Sequence, residues 1–124
     1  MSDRIPVLKL GDILLVSIQV DLDDQTVLDL QEDLGQEVVA TGAHGVIIDI
    51  TAAEIVDSFV GRMLSTIASV SRLLDAETVV VGMRPAVAIT LVELGLSLGG
   101  VRTALNLEQG LAMLRGRGVR AEPV

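Results

Sequence analysis

The chain has 124 residues, a length that suits one ordinary domain. Half of it is hydrophobic, yet Phe59 is the only aromatic residue, so the core must be built from Val, Leu, Ile and Ala. Such a core favours tight helix-on-sheet packing over an aromatic-lined pocket. There is no cysteine, which excludes disulfides and thiolate metal sites. The net charge of −8 is unevenly placed: no Lys or Arg stands between Lys9 and Arg62, while that span carries eleven acids. This distribution argues against nucleic acid and against an anionic membrane surface. It leaves a basic protein partner open, beside plain solubility. No apolar leader opens the chain and no run is long enough to span a bilayer, so a soluble cytoplasmic protein is expected.

In chain order, Val7 to Leu10 reads as a short strand and Gly11-Asp12 as a turn. Ile13 to Val20 is a β-rich run that completes a hairpin. Asp21-Leu22-Asp23-Asp24 then breaks the strand and offers helix caps. Residues 24–41 read as an amphipathic helix, with Val27, Leu30, Leu34 and Val38 on one face and Gly42 as its left-handed stop. Gly45 to Ile50 is an apolar run of the interior-strand kind, followed by a loop from Thr51 to Val56.

Asp57-Ser58 opens a second helix, with Phe59, Met63, Ile67, Val70 and Leu74 on one face. Glu77 to Gly82 is another strand. Arg84-Pro85 starts a third helix that runs to Leu94 and is stopped by Gly95. Its apolar residues lie nearly all round, which predicts burial or an interface. Val101 to Leu105 reads as a last strand. Asn106 and Gln109 form a capping-box pattern ahead of a fourth helix that carries Leu107, Leu111 and Leu114, and Gly116 is its expected stop. The tail after about residue 116 is expected to fray. The predicted fold is α/β, in the order β-β-α-β-α-β-α-β-α, with four to five strands in a mixed sheet and four helices.

The chemistry that the residues can support is narrow. His44, in a Gly-Ala-His-Gly turn, has no second His or Cys with which to build a metal or triad site. No phosphate-binding glycine loop is present. Catalytic residues, metal ligands and cofactors are therefore all expected to be absent. Asp49, near the end of an interior strand, admits two readings: a phosphoaccepting aspartate of the receiver kind, or a turn hydrogen bond. Receivers also need a lysine after their fifth strand, and the single lysine here is Lys9.

Ser58 is likewise open between two roles, a helix N-cap and a phosphoacceptor. A phosphate there would add about −1.5 to −2 charges, tolerable at a helix N-terminus but repelled by Asp57 and Glu54. Such a modification would change partner choice more than fold.

Val46-Ile47-Ile48-Asp49-Ile50, the loop Thr51 to Val56, and Asp57-Ser58 leading a helix together resemble the signature of STAS domains (sulfate transporter and anti-sigma-factor antagonist). Further stretches resemble the single-domain STAS scaffolds of bacterial stressosomes. They are Ile5-Pro6-Val7-Leu8-Lys9-Leu10, Leu14-Leu15-Val16-Ser17-Ile18-Gln19, Leu22-Asp23-Asp24-Gln25-Thr26, Gln31-Glu32-Asp33-Leu34, Pro85-Ala86-Val87-Ala88 and Ala104-Leu105-Asn106-Leu107-Glu108-Gln109-Gly110-Leu111. Simple anti-sigma antagonists continue Asp-Ser-Ser-Gly, whereas this chain reads Asp57-Ser58-Phe59-Val60-Gly61, which fits the stressosome branch.

The resemblance implies a single STAS domain over residues 1–124 and a non-catalytic scaffold for the general stress response. It implies self-association, co-assembly with RsbR-type STAS proteins, and capture of an RsbT-type switch serine/threonine kinase. By motif match the phosphorylated residue is Ser58, with Asp57 in its environment and a phosphatase to reverse the reaction. The rival within the same resemblance is a free anti-sigma factor antagonist controlled at the same serine.

Overall fold

The computed structural model describes residues 5–18, 23–52, 58–95 and 100–120. The first hairpin joins β1 (Val7–Leu10) to β2 (Ile13–Ser17) through Gly11, whose φ of 62° lies where a side chain would be strained. Leu10 pairs with Ile13 and Val7 with Val16, antiparallel. β2 stops as a strand at Ser17, although Ile18 is buried and still donates its N–H to the Asp49 carbonyl at 2.9 Å. Gln19 and Val20, expected to extend it, lie outside the described residues.

α1 (Asp24–Thr41) has the expected bounds. The Asp23 carboxylate accepts the Thr26 N–H at 2.7 Å, and Gly42, at φ 68°, returns its N–H to the Val38 carbonyl. β3 (Gly45–Asp49), α2 (Ser58–Leu73), β4 (Glu77–Val81), α3 (Pro85–Glu93), β5 (Val101–Ala104) and α4 (Leu107–Arg120) follow. The sheet order is β1-β2-β3-β4-β5, with every pair after the hairpin parallel. Parallel neighbours need a crossover, and the helices supply it.

Strand alternation splits the apolar residues between two faces. Leu14, Val16, Val46, Ile48 and Val80 meet Leu30 and Leu34 of α1, Leu64 and Ile67 of α2, and Val87 and Leu91 of α3. Ile13, Ile47, Val79 and Val81 meet Leu114 of α4 on the other face. α4 lies close because the sheet and the helix each offer a glycine. A Cβ on Gly45 would stand 2.7 Å from Leu114 Cδ1, and one on Gly110 would stand 2.8 Å from Val81 Cγ1.

Three expectations need correction. α4 runs past Gly116 to Arg120, because a glycine weakens a helix interior but ends one only when it turns to positive φ. The Gln109 side chain accepts the N–H of Leu105 rather than that of Asn106, while Asn106 Oδ1 accepts the Gln109 N–H at 2.8 Å as a cap should. The buried stripe of α2 is Gly61, Met63, Leu64, Ile67, Ala68 and Ser71, with Phe59, Val70 and Leu74 only half-buried. Small residues let this helix lie down on the sheet, so its inner face is not its largest apolar one.

α3 resolves differently. Val87 and Leu91 are buried, while Ile89, Val92 and Leu94 are exposed.

Candidate functional site

The connections to α2, α3 and α4 all leave the carboxyl ends of parallel strands, the edge where open α/β sheets place their ligands. After β3 the chain turns at once. Asp49 Oδ1 accepts the Thr51 N–H at 2.8 Å and the Thr51 hydroxyl as well, while the Ile50 N–H donates to the Val81 carbonyl at 3.0 Å. Asp49 is thus bound up in closing a turn, the second of its two readings. The receiver alternative also fails on topology. A flavodoxin-like sheet runs 2-1-3-4-5, whereas this one is sequential and begins with an antiparallel hairpin.

The turn after β4 touches the turn after β3. Gly82 has φ 77°, and any side chain there would collide with the Thr51 hydroxyl. The path toward α2 therefore begins against the path toward α3.

Ser58 is the first residue of α2 and is half-buried. The capping place before a first helical residue is held by Asp23 at α1 and by Arg84 at α3; before α2 it is position 57, outside the described residues. Ser58 therefore stands one place inside the cap position. No hydrogen bond engages its hydroxyl among the described residues. The first turn of α2 itself, from Ser58 on, holds no acid, and the dipole of a helix N-terminus favours negative charge there. Deeper along the helix, Leu64 and Ile67 are fully buried and fix it to the sheet. Asp57 and Glu54, singled out from the sequence as the charged surroundings of Ser58, lie outside the described residues.

His44 serves through its backbone. Its N–H donates to the Asp12 carbonyl and its carbonyl accepts the Glu77 N–H, both at 3.0 Å. Among the described residues no group of three His, Asp or Glu side chains could hold a metal ion, and no helix is long and apolar enough to cross a membrane. One residue near the site was not drawn from the sequence for its position: Arg62, exposed, one helical turn beyond Ser58. Its signal was the four-residue spacing.

Comparison with known proteins bears on the same region. The family model for the STAS domain matches residues 4–109. A structure of RsbS from Moorella thermoacetica, carrying the substitution S58E in that protein, is 43% identical and superposes with a TM-score of 0.82. The match covers 94% of this chain and 99% of that one. A chain from the molecular architecture of the stressosome, a signal integration and transduction hub, is 44% identical with a TM-score of 0.80. It is covered over 98% of its length by 91% of this chain. The RsbT co-antagonist protein RsbRA of Bacillus subtilis (strain 168) is 32% identical over 90 residues, 73% of this chain. The chain spans about a third of the length of such curated relatives, 33% for RsbRA.

Proposed function

The chain belongs to the STAS domain family, and on that premise we propose that it is a non-catalytic stressosome scaffold switched at Ser58. It co-assembles with copies of itself and with RsbR-type proteins, and it holds an RsbT-type switch serine/threonine kinase. Phosphorylation of Ser58 releases that kinase, and a phosphatase restores the capturing state. The observation that carries this reading is the Ser58 hydroxyl, without a hydrogen bond among the described residues, at the start of a helix whose first turn has no acid. A phosphate there adds about −1.5 to −2 charges where the helix dipole accepts them. The fold can keep its shape while the docked surface changes sign. Two likenesses support it: near-complete coverage of an RsbS chain, and the RsbT co-antagonist relative. The glutamate in the Moorella protein puts a charge of the same sign at a residue numbered 58.

Incubation with an RsbT-type kinase and ATP, followed by phosphosite mapping, tests the switch. One acid-stable phosphate is expected on Ser58, with none on Ser58→Ala. Normal phosphate uptake by Ser58→Ala would overturn the assignment. Gel filtration with an RsbR-type partner tests the scaffold: a very large particle is expected, and a persistent small monomer or dimer would favour the free antagonist instead.

A further inference from the structure

Ser58 and Arg62 stand four residues apart at the start of α2. That spacing puts them on one face, with Cβ atoms about 5–6 Å apart. The better order for such a pair has the anion N-terminal to the cation, as a phosphate on Ser58 would be. α2 contains no acidic residue from Ser58 to Leu73, so nothing on its own helix neutralises Arg62. Arg62 is exposed, and no ion pair engages it among the described residues. The helix's other cation, Arg72, lies ten residues on, about 15 Å away. It is committed there, with its guanidinium packed against Gly100 so closely that a Cβ could not fit.

Resting on the reading of Ser58 as phosphoacceptor, we propose that Arg62 is the intramolecular partner of that phosphate. The guanidinium fork matches phosphate oxygens two at a time, which a lysine does not reproduce. The switch then has two parts. Phosphorylation brings negative charge to the start of α2, and it also folds down an exposed cation that the unmodified surface offers to a partner. The surface therefore changes by more than the phosphate alone. The new pair lies along α2 and leaves its buried contacts intact.

The pair is measured on full-length protein with phosphoserine encoded at position 58, so no kinase is needed. The phosphate's second ionisation, followed by ³¹P NMR, starts from a free value of about 6. It is expected to be lower by about half a pH unit in the otherwise unchanged protein than in Arg62→Gln, because the cation favours the dianion. Arg62→Lys should fall between them. Among the described residues Arg84, at the start of α3, is another cation at this edge of the sheet, and Arg84→Gln should leave the value where it was. Phosphorylation should also raise Tm more in the parent than in Arg62→Gln, where only the helix dipole favours the phosphate. Equal titration of the parent and Arg62→Gln, or a shift that follows Arg84→Gln instead, would overturn the proposal. Failure of a kinase to modify Ser58 would count against the proposed function alone, because the encoded phosphate still reports the pair.

Discussion

The first turns of α1 and α2 differ in what they carry. α1 starts behind Asp23, whose carboxylate is tied to the Thr26 N–H at 2.7 Å, with Asp24 adding a charge to the first turn. α2 starts at Ser58, whose hydroxyl has no hydrogen bond among the described residues, in a first turn with no acid. One start has its polar side chain fully used in holding the helix. In the other, no described residue bonds the Ser58 hydroxyl, and Leu64 and Ile67 further along are buried against the sheet. A residue that must be modified without unfolding its helix is better placed at the second kind of start.

The sharpest way to test that contrast is to attack what holds α2. Leu64 is fully buried against the sheet. Leu64→Ala should cost about 2–5 kcal/mol in urea unfolding, as large-to-small changes in a packed core do. A loss well under 1 kcal/mol would mean that the start of α2, not its inner face, carries it. Next comes the cap of α1. Hydrogen bonding from the Thr26 backbone N–H, above all, holds the Asp23 carboxyl below its usual value. A lowered folded pKa stabilises the fold fully above the unfolded value of about 3.9, and that stabilisation disappears as pH falls through the lower folded value. Asp23→Ala should therefore lower Tm at pH 7, and the gap from the parent should close as the solution is acidified through that window. A gap that stays constant with pH would show that the carboxylate does not act as a charged cap. The smallest effect is expected at Ser58 itself. Ser58→Ala should change stability by less than about 0.5 kcal/mol, since it removes no hydrogen bond found among the described residues and alanine suits a helix. A loss approaching 2 kcal/mol would return Ser58 to a capping role.

Much of this contrast was legible before any coordinates. The bounds of α1, the Asp23 candidate and the Gly42 stop all rest on local chemistry within a few residues, and local chemistry is what a sequence displays. The same holds for Pro85 at the first position of α3. The inner face of α2 was less visible. Gly61, Ala68 and Ser71 are buried because the backbone approaches the sheet, and a search for large apolar residues passes over them. α3 carried too little polar contrast to say which side is inner: Val87 and Leu91 are buried and Ile89 is not, though all three are aliphatic. At the candidate site, the motif drew the eye to Ser58 and Asp57. Arg62 had to be read from the helix, because an exposed arginine acquires meaning only from what stands one turn away.

The sequential sheet has a consequence for how the molecule is made. Each strand pairs with the one before it in the chain, from β1 through β5. No strand has to be inserted between two that are already joined. A chain leaving the ribosome N-terminus first can lay its hairpin down and then widen the sheet at one edge. The hinge of α4 onto its face comes last, when Leu114 reaches Gly45 and Gly110 reaches Val81.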